Sequence, residues 1–293
     1  MDKNRFSLMT FPFLFDQTIR RVTTKDIFEI AQQSGVSRLD IMDPGPRIVK
    51  EHLECMKHSD IRICCYIASI SFFESRQKET KDLDRHLAAA EELGAELFMI
   101  VPFKAPGGQM RARRLPKDQV QVLMMQGFQL AAERARGRSL TVCFETTPHE
   151  CFALSGTQDI AWMLEQVPEL GLVFDTANML PHGDETLSAY EALKDRIVHV
   201  HLKDVALSAP HRKNPLLQEH TPDGRYMTRA LWGEGVIPVN VVYSRLLRDG
   251  YEGRFAIEYQ YPKDSNRGAE AHVRQVERFF EYLKKTEDRA AEI

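Results

Sequence analysis

The sequence predicts an α/β fold, a closed (β/α)8 barrel formed by a single domain spanning residues 1–293, with a core from about residue 6 to residue 285. Three observations lead there. Short apolar runs alternate with amphipathic stretches eight times without a linker, and alternating strands and helices imply a parallel sheet. The length, 293 residues, suits one such barrel. The last four apolar runs end in Glu145, Asp175, His201 and Glu258, and in a (β/α)8 barrel the C-terminal strand ends carry the site. A doubly wound open sheet is the alternative, but it would not return the eighth strand to lie beside the others.

The elements follow in order. Phe6–Met9 is a short apolar first strand. Thr23-Thr-Lys-Asp26 starts a helix, with Ile27, Ile30 and Ala31 at helical spacing, and Gly35 stops it. Arg38–Met42 is the second strand, followed by a helix over residues 48–56 and a third strand over 61–67. A charged helix over 76–93 ends at Gly94, a fitting C′ glycine. Leu97–Val101 is the fourth strand; the loop 102–114 is rich in Gly, Pro and Arg; a helix over 116–135 stops at Gly137. The fifth strand, 140–145, precedes a helix over Thr157–Gln166 with Thr157 as N-cap. The sixth strand ends at Asp175 and a helix covers 185–193. The seventh strand carries two histidines. The polar segment 204–232 shows no helical period, which is usual for a functional or mobile loop. Pro238 opens the next helix and Gly250 closes it, the eighth strand ends at Glu258, and an amphipathic helix over 269–285 closes the chain.

Composition narrows the function classes. Hydrophobic residues at 43% and charged residues at 28% are ordinary for a globular chain. A formal net charge of -3 gives no sign of a nucleic-acid surface. No apolar run approaches the ~20 residues that span a bilayer, so no membrane role is expected. The N-terminus shows no apolar stretch of the kind that leads a protein to secretion. The 5 cysteines, Cys55, Cys64, Cys65, Cys143 and Cys151, form no disulfide-like or CxxC pattern, so free thiols and a cytoplasmic location are expected. Neither a Gly-rich dinucleotide fingerprint nor a phosphate-cradling loop is present.

The chemistry concentrates on strand seven. In Ile197–Leu202, Val198, Val200 and Leu202 alternate with His199 and His201, so one face is apolar and the other bears imidazoles. The neighbouring strands end in carboxylates. A buried unpaired carboxylate is costly, so four such ends brought together read as a site of oxygen and imidazole ligands for a hard-to-borderline metal. Lys203 has three open readings: it binds a phosphate, steadies an enolate oxygen, or pairs with Asp204. Thr146, Thr147, His149, His182, Arg229, Trp232 and Tyr259 read by default as surface residues near the mouth, and Glu234, between two glycines, as a turn carboxylate.

Phe144-Glu145, Phe174-Asp175-Thr176-Ala177-Asn178, His199-Val200-His201-Leu202-Lys203-Asp204, Gly233-Glu234-Gly235-Val236-Ile237-Pro238 and Ile257-Glu258 together resemble the xylose isomerase-like TIM-barrel superfamily, and within it the sugar phosphate isomerase/epimerase family. The resemblance runs over nearly the whole chain. It implies one divalent ion (Mn2+, Co2+, Mg2+ or Zn2+) held by Glu145, Asp175, His201 and Glu258. It also implies that Glu145 and Glu258 are the catalytic acid–base pair, with His199 pointing into the barrel below the ligand His201. Lys203 and Asn178 become substrate-binding residues. Many epimerases of the family carry a histidine where this chain has Asn178, and an amide can hydrogen-bond a hydroxyl but cannot titrate.

The expected substrate is a small sugar or cyclic polyol. The expected reaction is isomerisation or epimerisation through an enediolate, and the alternative is a lyase of the inosose or 3-dehydroshikimate dehydratase type. Both begin by removing a proton next to a carbonyl while a metal acts as Lewis acid. An endonuclease of abasic DNA would need further histidines and a basic surface; Asp40-Ile-Met-Asp43 and Ile67-Ala-Ser-Ile-Ser71 supply no histidine. No nucleic-acid partner is therefore expected, and assembly into a homo-oligomer stays open.

Overall fold

A computed structural model describes residues 1–13, 17, 22–42, 45–102, 112, 114–148, 153–209, 221–259 and 268–291. The strands, numbered along the chain, are β1 (Phe6–Met9), β2 (Arg38–Met42), β3 (Arg62–Ser69), β4 (Leu97–Val101), β5 (Thr141–Glu145), β6 (Gly171–Asp175), β7 (Ile197–Leu202), β8 (Val205–Leu207), β9 (Met227–Arg229) and β10 (Arg254–Ile257). Eight of them close a barrel in the order β1-β10-β7-β6-β5-β4-β3-β2. Every neighbouring pair is parallel. The (β/α)8 reading therefore holds and the open sheet is excluded, because β10 pairs with both β1 and β7.

The barrel strands are apolar on both faces because both are covered. Outside, Phe6, Tyr66, Phe98, Phe144, Phe174 and Phe255 pack against the surrounding helices in one large core. Inside, Met9, Cys65, Ile67, Met99, Cys143 and Val173 form a second cluster that fills the lumen. Cys64, Cys65 and Cys143 are buried free thiols and Cys55 is half-buried, while Cys151 lies outside the described residues.

The helical punctuation is mostly as the sequence implies. Thr23 caps the helix Thr24–Gln33 in a full capping box with Asp26. Gly94 has φ 63, the left-handed geometry a C′ glycine tolerates, and Pro238 caps Val239–Arg248. Boundaries move elsewhere. The helix after β2 is Pro46–Lys57, with proline in its first turn, and β3 runs on to Ser69.

Thr157 is not a cap. Gly156 holds that position, and the acceptor comes from another loop: Asp184 Oδ2 takes the Thr157 N–H at 2.7 Å and its hydroxyl at 2.8 Å. Likewise Glu185 caps Thr186–Leu193 from outside the helix. The segment expected to be one long loop contains the antiparallel hairpin β8–β9, with Val205 opposite Arg229 and Leu207 opposite Met227. Residues 210–220 between those strands lie outside the described residues. Among the described residues, no helix is long and apolar enough to cross a membrane.

Candidate metal centre

Parallel pairing sets four side chains at one level of the barrel. Asp175, the last residue of β6, is the register partner of His201 on β7. Ala256 on β10 also pairs with His201, and the Glu258 N–H extends that ladder to the Leu202 carbonyl at 3.0 Å. Glu145 ends β5 opposite Val173. As a result, one ligand atom from each of Glu145, Asp175, His201 and Glu258 lies within 4.8 Å of the others.

The two-residue alternation of β7 is interrupted. The register slips between Leu172 and Val173, so Ile197 pairs with Leu172 and His199 with Val173. Val198 is the extra residue of this bulge and packs toward the inner cluster, unlike Val200 and Leu202. His199 and His201 nevertheless both point inward, buried, with ring centroids 5.4 Å apart and planes at 89°.

His201 Nδ1 lies 2.7 Å from Glu145 Oε1 and 3.3 Å from Glu258 Oε2. Lys203, immediately after β7, places its ammonium 2.8 Å from Asp175 Oδ2 and 3.1 Å from Glu258 Oε1, and donates to Asn178 Oδ1 at 3.0 Å. The other Asp175 oxygen accepts the N–H groups of Ala177 at 2.7 Å and Asn178 at 2.9 Å, which fixes the carboxylate. Asn178 in turn donates from Nδ2 to the Thr146 carbonyl at 2.8 Å. Thr176 straps β6 to β7, donating its hydroxyl to the Lys203 carbonyl at 2.8 Å and accepting the Lys203 N–H at 2.9 Å.

The electrostatics follow from three carboxylates sharing a nearly dry space. Burial pushes Asp175 up to about 7, against the pull of Lys203. Burial also works to raise Glu258, but Lys203 and His201 outweigh it and hold that carboxyl down at about 2. Burial opposes the charged forms of His201 and Lys203, yet the facing carboxylates keep both well above their ordinary ranges.

Three carboxylates and one imidazole make a donor set that fits a hard-to-borderline divalent ion. Glu258 Oε2 supports that fit: it is buried, accepts no hydrogen bond, and faces Nδ1 of His201 at 3.3 Å. A cleft of about 160 Å³ opens onto the cluster. Glu145, Asn178, Lys203 and Glu258 line it from the β5–β7 and β10 side, and Met9, Met42, Ile100 and Val101 from the ends of β1, β2 and β4.

Several sequence readings need correction. Lys203 does not pair with Asp204. The Asp204 carboxylate turns away and accepts the N–H groups of Gly233 and Gly235 at 3.0 Å and of Ile237 at 3.2 Å. A Cβ on Gly235 would collide with Asp204 Oδ1 and the Val205 carbonyl, so the backbone can approach only because the residue is glycine.

Trp232 is packed on Phe279 with ring centroids 4.7 Å apart, and Tyr259 is buried with its hydroxyl 2.8 Å from His272 Nδ1. Thr146 and Thr147 are buried and His182 is half-buried, so none of these is a free surface residue. They had read as surface because loop position says little about burial once loops fold over a barrel mouth. Glu234 is exposed in its turn, as expected, while His149 lies outside the described residues.

The sequence reading also missed Asp40. It sits in the middle of β2, is fully buried, and has Oδ2 2.7 Å from His199 Nε2. A carboxylate inside an apolar strand was itself the signal, since such a charge needs a buried partner.

Comparison with known proteins agrees with the barrel fold. The family described as xylose isomerase-like TIM barrel matches residues 26–285. An inosose dehydratase from Geobacillus thermodenitrificans is 24% identical over 138 residues, 46% of this chain and 46% of the relative, so the likeness spans about half the length of the curated protein. The crystal structure of the IOLI protein with a bound zinc atom superposes with a TM-score of 0.70 at 14% identity, covering 96% of this chain and 99% of that one. A 3-keto-D-glucoside 4-epimerase from E. coli gives 0.67 at 14% identity, covering 96% and 99%. At these identities the structural matches establish the fold alone.

Proposed function

The chain belongs to the xylose isomerase-like TIM barrel family, and from that membership we propose that it is a divalent-metal-dependent isomerase or epimerase of a small sugar or cyclic polyol, phosphorylated or not. Glu145, Asp175, His201 and Glu258 would hold the ion. The observation that carries the reading is the convergence of these four side chains, from four different strand ends, within 4.8 Å at the floor of an open cleft. A divalent ion bound there supplies Lewis-acid stabilisation of negative charge on a ketone oxygen and its neighbouring hydroxyl.

The chain's own groups account for the proton transfers. Glu145 and Glu258 approach His201 from different strands, β5 and the end of β10, and so can serve two sides of a bound substrate. One takes a proton from the carbon next to the ketone, and the conjugate acid of the other returns a proton. Return to the opposite face of that carbon gives an epimer; return to the neighbouring carbon gives an isomer. Lys203 and Asn178 line the same cleft and offer an ammonium and an amide to substrate hydroxyls.

A second reading is favoured by a specific observation: a curated relative that matches part of the sequence is an inosose dehydratase. In a dehydratase the same first proton is removed. The electron pair then expels a hydroxyl from the next carbon, and that hydroxyl leaves as water after taking a proton from a carboxylic acid of the site.

Product analysis with ketoses, ketose phosphates and cyclic polyol ketones, with Mn2+ supplied, separates the two readings. The first gives a product of unchanged mass, the second a product lighter by one water. Absence of both products, together with no metal uptake, would end the proposal.

A further inference from the structure

The cleft has two unlike walls. Glu145, Asn178, Lys203 and Glu258 form the polar one, and Met9, Phe11, Met42 and Ile100 line it from the β1, β2 and β4 side. Phe11 is the unusual member. Among the described residues it is the one aromatic side chain left exposed, at 38%, and it lies in this cleft. The turn that carries it is anchored on both sides. Thr10 donates its N–H to the Asp40 carbonyl at 2.8 Å and accepts the Met42 N–H on its hydroxyl at 3.1 Å. Phe13 donates its N–H to the Thr10 carbonyl at 3.0 Å and is itself fully buried, with its ring centroid 4.2 Å from that of His272. The bonds of its neighbours thus present Phe11 to the cleft, where a ligand would take its apolar surface out of water.

The polar wall offers little to a phosphate. Lys203 is the one cation among the described residues that line the cleft. An ammonium has three N–H donors, and Asp175, Glu258 and Asn178 stand at 2.8, 3.1 and 3.0 Å to receive them. A substrate hydroxyl can take over the neutral Asn178 contact. A phosphate would have to displace a carboxylate, or crowd against the carboxylates of Glu145, Asp175 and Glu258. Size narrows the choice further. At about 160 Å³ the cleft has room for one ring, whereas sites for larger ligands run from about 300 Å³ upward.

We infer that the substrate is an uncharged single-ring polyol ketone, bound with its hydroxyl edge toward Lys203 and Asn178 and a C–H face on Phe11 and Met42, and that phosphate esters are excluded. This deepens the proposed function and rests on it for the site of reaction. A ring polyol carries both surfaces at once, hydroxyls around its edge and hydrogens on its faces. The π cloud of an aromatic ring is negative over its face and attracts such C–H groups. An unbranched methionine side chain adapts to the shape set beside it.

Calorimetric titration of the full chain, with and without Mn2+, tests this with an inosose, D-fructose, D-fructose 6-phosphate and inorganic phosphate as probes. The inosose should bind. The phosphate ester should bind more weakly than the inosose by roughly 100-fold or more, and no better than D-fructose. Inorganic phosphate should not displace the inosose. Phe11→Ala should weaken inosose binding roughly 10-fold, Phe11→Tyr should restore it, and Mn2+ affinity should be unchanged in both. Unaltered inosose binding in Phe11→Ala, a phosphate ester bound as tightly as the inosose, or no binding of any probe overturns the inference. Mn2+ uptake is read separately. A chain that takes up no Mn2+ yet keeps this ranking of probes overturns the proposed function and supports the inference. A chain that takes up Mn2+ and prefers the ester leaves the proposed function standing and overturns the inference.

Discussion

The ammonium of Lys203 lies 2.8 Å from Asp175 Oδ2, inside the ring of side chains that would hold a metal ion. With Glu258 at 3.1 Å, it neutralises part of a buried cluster of three carboxylates. Removing one partner of a buried ion pair leaves the other charge uncompensated, a loss of about 3–5 kcal/mol.

Lys203→Met should therefore destabilise the protein by about 3 kcal/mol when metal is chelated. Saturating divalent metal should narrow that difference, since the ion's charge compensates the facing carboxylates in the variant as the ammonium does in the wild type. Chemical denaturation with chelator and with Mn2+ checks this. Equal destabilisation in both conditions would mean that Lys203 is not acting as the counter-charge of the site.

Asp204 ties the end of the hairpin segment to the barrel through three backbone N–H groups. Asp204→Ala should cost about 1–3 kcal/mol, because it leaves the buried Ile237 N–H without its acceptor. Amides 233, 235 and 237 should lose hydrogen-exchange protection ahead of the strands. Gly235→Ala should mimic it, as the added methyl has no space beside Asp204.

Gly127 tests packing against propensity. It lies inside the helix Lys117–Ala135, where alanine normally gains about 1 kcal/mol over glycine. A Cβ there would run into the buried Phe72 ring, itself packed edge-on to Phe128 at 5.1 Å. Overpacking of this kind costs about 1–3 kcal/mol, so Gly127→Ala should lower stability, as read from urea denaturation. A gain would show that Phe72 yields freely.

Asp175→Ala and His201→Ala should each abolish binding of divalent metal while leaving the barrel folded, since both sit at strand ends and outside the apolar clusters that hold the barrel together. Elemental analysis alongside circular dichroism checks both halves of that statement. Full metal occupancy in either variant would remove the residue from the ligand set.

The fold was legible because (β/α)8 punctuation is local. Thr23 with Asp26, Gly94 and Pro238 each announce a helix boundary within a few residues, and the structure places the boundaries there. The four strand-end residues were legible because parallel pairing turns position along a strand into height in the barrel, so ends of successive strands must meet. What escaped depended on partners distant in sequence. Asp184 caps a helix that starts 27 residues earlier, Asp40 answers His199 from 159 residues away, and Lys203 chooses Asp175 over its neighbour Asp204. The hairpin β8–β9 was missed because each strand is only 3 residues long, too short to show a period.

The most direct test of the proposed chemistry is deuterium incorporation from D2O. If Glu145 and Glu258 carry the proton next to the ketone, a wet cleft lets that proton exchange, and the substrate or product should gain deuterium at that carbon. Glu145→Gln and Glu258→Gln keep the side-chain shape but remove the base, so each should lose turnover by more than the ~10²–10⁴-fold usual for a general base, since each would also be a ligand. Deuterium at the carbon next to the ketone in wild type, and its loss in both glutamine variants, is the predicted result; turnover without label, or label with normal turnover in both variants, would contradict it.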